Sequence, residues 1–532
     1  MSMTCHFLAL MSSNRSLLAL SAFSMALTCW LTAAPQHKPN VLFIIADDLG
    51  RNLGCYGDKL ARTPNIDRLA AEGVRFARAY GQGAVCTPSR NSFLTGLSTR
   101  TVGIHTKFTE YQKKDPNATS LGRYFRQHGY QTAGFGKIAH TLDHEDPEAW
   151  DIREQPKEKA LLKSREERKD ERTGAQTYRN ITQIYADGTK TLDVIQADCF
   201  EEFLTMKRSL DKPFMAALGF HSPHEPHMVY QRNLDAIPLA DIPLLRQPDG
   251  ASPYNPLGFN FLPWYPDDNT QREVIRSYYA AVNQLDEQVG RVLRLLEQQG
   301  IADHTIVVFI GDNGYNHGFR GQWAKHDVYP DVIHLPLLVS APGGTKAGVT
   351  QGLVEYLDIF PTLVDLCGLP AVPGRDGTSF AAQLRNTAAS GKEAAYVEWE
   401  VPAENVKGIV ETLPPDPARP VLPLPEGVSD GHSRAVYTKD WCYVEYYGTE
   451  IRELYRLDND PHGYFNIADK HPEVEAKHAE LLHKYFPRTQ GKKKAEAEKP
   501  VPPPTPARSD CVHFLDDIQI VPSACHYFYD IK

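Results

Sequence analysis

The 532-residue chain has no basic surplus: 57 lysines and arginines stand against 66 acidic residues, a net charge of −9. A protein that holds nucleic acid unaided needs a positive face for the phosphates, so that class is set aside. Beyond its N-terminal end the sequence has no apolar run long enough to span a bilayer, which excludes an integral membrane protein. What is there, 42% hydrophobic and 23% charged residues, is the profile of a soluble globular chain with ample core material. The length suits one large α/β domain with a smaller companion as well as it suits about three average domains.

Residues 1–34 read as an export signal, to be removed in a secreted or periplasmic protein. Arg15 supplies the positive region, residues 17–31 the apolar run, and Thr32, Ala33 and Ala34 the small residues before cleavage. A buried N-terminal helix is the alternative. Met11 is a candidate start, and the residues before Cys29 make a poor lipobox. Cleavage would leave Cys55, Cys86, Cys199, Cys367, Cys442, Cys511 and Cys525, an odd set. If one is chemically special, six remain that an oxidising compartment could pair, in a pattern the sequence does not specify.

Four segments share one design, an apolar run ending abruptly in polar residues. Residues 41–46 (VLFIIA) end at Asp47 and Asp48; residues 130–135 lead to Gly136, Lys137 and His140. Residues 214–220 end at His221, and 305–310 (TIVVFI) at Asp312 and Asn313. Continuous apolar runs of this length read as strands buried on both faces of a parallel sheet. Ligands in open α/β sheets gather at the carboxyl ends of strands, so four such ends predict one cleft. Helices are predicted from Pro64 to Gly73, from a Ser120 cap to His128, and over residues 271–299 with Ile275, Tyr278, Val282, Leu285, Val289, Val292 and Leu296 at helical spacing. Domain boundaries are expected at 38–373 for the catalytic part and 374–488 for a smaller α+β part. The latter has strands around Ala435 and Trp441 and a helix over 473–486. Residues 154–172 read as a solvated charged insertion, 490–509 as a linker, and 489–532 together as linker and extension.

The string Cys86-Thr87-Pro88-Ser89-Arg90, followed by Leu94-Thr95-Gly96, places a cysteine at a helix N-terminus. Free amides and the positive helix end there favour developing negative charge. A lone Cys-x-Pro would equally suit a structural cysteine beside a cap. The full string resembles the signature of the type I, formylglycine-dependent sulfatases. The resemblance extends in order through Asp47-Asp48, Gly136-Lys137-Ile138-Ala139-His140, His221-Ser222-Pro223-His224, Asp312-Asn313-Gly314 and Trp323-Ala324-Lys325. The branch it is most similar to is that of the iduronate-2-sulfatases, on Gly-Lys-x-x-His, His-x-Pro-His, residues 277–281 and residues 321–325. Those animal enzymes usually carry His where Asn313 stands.

The resemblance implies an alkaline-phosphatase-like fold, a large mixed and mostly parallel sheet flanked by helices, with a smaller C-terminal α+β subdomain. It implies that a formylglycine-generating enzyme converts Cys86 to 3-oxoalanine. It further implies that Asp47, Asp48, residue 86, Asp312 and Asn313 hold Ca²⁺, in some members Mg²⁺; an all-oxygen set suits such a hard cation. In the implied mechanism Arg90 helps orient the aldehyde hydrate, one hydroxyl of which attacks sulfur with the help of Asp312. Lys137 and Lys325 hold sulfate oxygens, His221 protonates the leaving oxygen, and His140 assists loss of the second hydroxyl proton, which expels sulfate. His227 is a candidate for substrate contact; for it and His224 a structural role is the alternative. The expected substrate is a sulfated carbohydrate, with uronate 2-O-sulfate first. Competing readings are a formylglycine-dependent phosphonate or phosphate ester hydrolase and a non-catalytic binder of sulfated glycan.

Overall fold

The computed structural model describes residues 38–155, 182–252, 268–343, 345–400, 432–447 and 449–487. The export signal, most of the charged insertion, the linker and the extension with Cys511 and Cys525 lie outside the described residues. One sheet carries β1 (Asn40–Asp47), β2 (Val74–Phe76), β3 (Gln131–Gly136), β4 (Ile152–Glu154), β5 (Phe214–Pro223), β6 (Thr305–Gly311), β7 (Leu337–Ser340) and β8 (Gly348–Thr350). Their order is β8-β2-β7-β6-β1-β5-β3-β4, and β7 alone runs against its neighbours. The four runs with polar ends are four consecutive strands, β6-β1-β5-β3. Ala46 pairs with both Gly311 and Phe220, and Gly136 with Gly219, so the polar ends lie level.

All eight residues of β1 are buried because helices cover both faces. Leu42, Ile44 and Ala46 pack with α1 (Pro64–Glu72), α4 (Leu192–Glu202) and α5 (Asp268–Gln298). Val41, Phe43 and Ile45 pack with α2 (Cys86–Thr95), α3 (Leu121–Gln127) and α6 (Ile359–Leu366). Ser120 caps α3 by accepting from the Arg123 amide, as its sequence position suggests. The apolar stripe of α5 is buried throughout. Glu154, placed by sequence in the charged insertion, instead ends edge strand β4.

The C-terminal part is an antiparallel sheet of β9 (Ala395–Trp399), β10 (Ser433–Tyr437), β11 (Trp441–Tyr446) and β12 (Arg452–Arg456). The sequence marked the two inner strands and missed the outer two. One face packs Val436, Tyr443 and Leu454 against Leu482 of α7 (Pro472–Tyr485). The other packs Tyr437, Val444 and Tyr455 against Ala84, Val85, Val328 and Tyr329. Those last four residues flank Cys86 and Lys325, so this small sheet backs the loops of the strand-end cleft. No helix among the described residues is long and apolar enough to cross a membrane.

The pairing that the sequence left open does not join Cys55, Cys199 or Cys442, which are free thiols. They sit on separate elements, each packed into its own surroundings.

Buried imidazoles give the fold an acid limit. His317 lies with its ring centroid 4.1 Å from that of Tyr278 on α5, and burial pushes its pKa down to about 3. In the unfolded chain it returns to about 6.5. Below that pH the unfolded state binds a proton that the folded state refuses, so stability falls with pH, by about 2 kcal/mol at pH 5 for this residue alone. Melting temperatures from pH 7.5 to 5 should therefore drop, and His317→Gln should shrink the drop.

Candidate active site

The strand ends supply the site's charges. β1 delivers Asp47 as its last residue, and Asp48 turns sharply away at φ 63°. A non-glycine residue in this left-handed region costs about 1–2 kcal/mol, and persists only when its surroundings hold it. The Asp48 amide donates to Asp312 Oδ1 at 2.9 Å, and the Tyr278 hydroxyl on α5 donates to the Asp48 carbonyl at 2.9 Å. β3 ends at Gly136 with φ 70°, where a Cβ would meet the Gly219 carbonyl oxygen at 2.2 Å. Only glycine lets β3 turn there and present Lys137. Cys86 opens α2 after the extended Val85, as its sequence position predicts.

Around the Cys86 sulfur lie Lys325 Nζ at 3.2 Å, Lys137 Nζ at 3.5 Å and Asp47 Oδ1 at 3.5 Å. Lys137 also donates to Asp47 Oδ2 at 2.6 Å, and Lys325 to Asp48 Oδ1. Arg90, four residues along α2 and wholly buried, donates through Nε to Asp312 Oδ2 at 2.8 Å and through Nη2 to Asp47 Oδ1 at 3.1 Å. Its Nη1 reaches the carbonyls of Lys137 and Ile138, so it ties β1, β6 and the turn after β3 together. Burial alone would raise the Asp47 carboxyl, but Lys137, His224, Arg90 and Lys325 hold it well below the usual range. For Lys137, burial favours the neutral form, yet Asp47 and Cys86 carry its pKa above the ordinary lysine value.

Oxygens of Asp47 and Asp48, the Cys86 sulfur and a nitrogen of His224 all lie within 4.8 Å of one another. Asp312 serves differently at this point, its Oδ1 accepting the Asp48 and Asn313 amides and its Oδ2 taken by Arg90. Asn313 donates to Asp48 Oδ1 at 2.9 Å, while its buried Oδ1 accepts no hydrogen bond. An oxygen donor without a partner, beside two carboxylates, fits a hard divalent cation.

In the sequence a structural role was the reading for His224; its Nε2 stands 3.8 Å from Asp48 Oδ2. Its place, three residues beyond His221 in a turn, was the only signal available. His221 is buried, its amide donating to Asp193 Oδ1 at 2.7 Å, and its ring centroid lies 5.4 Å from that of His224. Burial, then the charge of His224, pushes the His221 pKa down to about 3, so the ring is neutral at physiological pH. His140 follows Lys137 in the turn after β3, with its ring centroid 5.4 Å from that of His144. His227 is anchored to α5, its Nδ1 bonded to Ser277 Oγ at 2.8 Å.

Arg90 on an acid, two lysines on a sulfur and a carboxylate pair form a buried cradle of balanced charges around Cys86. The Sulfatase family pattern matches residues 39–369. The chain is 32% identical over 400 residues to the iduronate 2-sulfatase of Mus musculus, spanning 65% of this chain and 71% of that one. Among solved structures it is similar to a phosphonate monoester hydrolase of Agrobacterium radiobacter, with a TM-score of 0.65, 21% identity and coverage of 84% of this chain and 95% of that one. A 2-O GAG sulfatase gives a TM-score of 0.62 at 21% identity, covering 85% and 92%. At such identities the structural likeness speaks for the fold, which is of the alkaline-phosphatase-like kind. The family pattern and the iduronate 2-sulfatase relative, joined to the cradle, identify the activity as well: the chain belongs to the sulfatase family and is a hydrolase of sulfate esters.

Proposed function

We propose that the protein is an exported sulfatase acting on a sulfated carbohydrate, with uronate 2-O-sulfate as the first candidate. The observation that carries this reading is the convergence of Lys137 Nζ and Lys325 Nζ on the Cys86 sulfur, 3.5 and 3.2 Å away, within a buried ring of acids and Arg90. The uronate choice is supported by the relative named iduronate 2-sulfatase and by the fold neighbour named a 2-O GAG sulfatase. Export is supported by the sequence of residues 1–34.

Membership of the family implies a 3-oxoalanine at position 86, made by a formylglycine-generating enzyme, and a metal ion. Together these supply an oxygen nucleophile and a positive charge beside it; the sulfur marks where that oxygen would stand. Asp47, Asp48 and Asn313 Oδ1 are the donors that would hold Ca²⁺ or Mg²⁺, with Asp312 and residue 86 completing the set. The rest falls to the chain's own side chains. Lys137 and Lys325 bind sulfate oxygens and offset charge that grows in the transition state, which is worth about 10²–10³-fold per donor. Arg90 holds Asp47 and Asp312 in place, keeping both from drifting toward the sulfate. His221 is the donor to the leaving oxygen, with the His224 ring beside it at 5.4 Å between centroids. His140 serves the later proton removal, and His227 lines the sugar side.

Four outcomes test this reading. Mass spectrometry of the Cys86 peptide from active protein should show the aldehyde, and Cys86→Ala should abolish turnover. Lys137→Ala should lower kcat/KM on aryl sulfate by about 10²-fold or more, measured at a temperature where the variant is folded, because the buried Asp47 then loses its partner. Chelation should remove activity, and Ca²⁺ or Mg²⁺ should restore it. On a panel of defined saccharides the 2-O-sulfated uronates should be turned over fastest; faster turnover of aryl phosphonates than of any sulfate would favour the hydrolase reading that the Agrobacterium radiobacter fold neighbour raises.

A further inference from the structure

Lys325 is held by a backbone that its own residues disfavour. Ala324 and His326, on either side of it, have φ of 65° and 85°, both left-handed. Neither is glycine, so each costs about 1–2 kcal/mol. Conformations of this kind survive where surrounding structure dictates them. Part of the restraint is local: Asn316 and His317 pair with Ala324 and Trp323 in a two-residue ladder, and the Gly318 amide donates to the Gln322 carbonyl at 2.7 Å. Asn316 Nδ2 also donates to Asp327 Oδ2 at 2.7 Å, and Asp327 Oδ1 accepts the Tyr329 amide at 3.0 Å. Both ends of the Lys325 loop are thereby joined.

The tip of this hairpin is Arg320, itself at φ 54° and only 2% exposed. None of its three guanidinium nitrogens has an acceptor in hydrogen-bond geometry. The guanidinium carbon instead lies 3.8 Å from the centre of the Tyr329 ring and 5.1 Å from that of Tyr455, and Nη2 is 3.9 Å from Glu453 Oε1. The other Glu453 oxygen accepts from the hydroxyls of Tyr329 at 2.6 Å and Tyr446 at 3.0 Å. Tyr446 belongs to β11, and Glu453 and Tyr455 to β12. A buried arginine without hydrogen bonds is costly unless aromatic faces and a nearby carboxylate compensate it, and both compensators except Tyr329 come from the C-terminal sheet.

We infer that Arg320 is a positioning residue for Lys325: the Glu453, Tyr446 and Tyr455 side chains of the C-terminal sheet capture its guanidinium and so fix the strained hairpin that aims Lys325 Nζ at residue 86. This deepens the proposed function and rests on its assignment of Lys325 to the sulfate. It gives the small sheet a part in catalysis at a distance, acting through one side chain. A shift of about 1 Å in a substrate-positioning group can lower the rate about 10²-fold, so a modest loosening of the hairpin is enough.

The test is a double-mutant cycle on kcat/KM for aryl sulfate, made with the full-length, aldehyde-bearing protein. Glu453→Gln keeps the shape of the side chain and removes its charge, and should lower kcat/KM by about 10-fold or more at a temperature where circular dichroism shows the variant folded. Competitive inhibition by inorganic sulfate should weaken in parallel. In the Lys325→Ala background the same change should alter kcat/KM by less than about 2-fold, because the group it positions is gone. Arg320→Lys, which keeps the cation, should retain more activity than Arg320→Met; if the latter does not fold, Glu453→Gln and Tyr329→Phe carry the test. Equal losses in both backgrounds, or no loss beside native Lys325, would overturn the inference. Full activity of Lys325→Ala itself would instead strike at the assignment of Lys325 to the sulfate.

Discussion

A charged carboxylate with essentially no exposed surface is the constraint on which the site depends. Asp47 ends a strand buried on both faces, where an isolated ion would be strongly disfavoured. It is tolerated because Lys137 lies at 2.6 Å and Arg90 at 3.1 Å. Those cations are themselves balanced, Arg90 by Asp312 as well, and Lys325 by Asp48. Pulling out one member would strand its partner's charge, which is why the cluster behaves as a unit. The same alternation of signs leaves two ammonium groups beside the Cys86 sulfur, each also held by a carboxylate.

Sheet topology makes that arrangement possible. Four neighbouring parallel strands end level, so side chains from distant parts of the sequence reach one point without long loops. Helix α2 then brings Cys86 and Arg90 from the other side, with α5 supporting Asp48 through Tyr278. Parallel strands place their loops at one edge, and an active site at that edge inherits a rigid base.

Much of this could be read from the chain. The runs at 41–46, 130–135, 214–220 and 305–310 were legible because a strand buried on both faces carries no alternation to confuse it. The helix over 271–299 announced itself by its stripe, and Ser120 by its capping chemistry. The outer strands of the C-terminal sheet escaped because residues such as Arg452, Glu453 and Arg456 break the apolar pattern, and because the burial of Glu453 depends on partners such as Tyr329 that are far away in sequence. His224 was ambiguous for a related reason: a histidine's task depends on what it faces, and its position three residues after His221 does not reveal Asp48. The cysteine count left pairing open. Parity says nothing about whether two sulfurs ever come near each other.

The surroundings of three thiols have a consequence for their reactivity. Burial, with Asp67 beside it, pushes Cys55 up to about 12, and Cys442 is likewise raised to about 12 by burial. Cys199, buried next to Glu154, is raised to about 11. At neutral pH these sulfurs stay protonated and so lack the anion that disulfide exchange requires. In the folded protein these three sulfurs are thus held in the form least able to exchange, and none of them invites a mixed disulfide while the structure is closed around it.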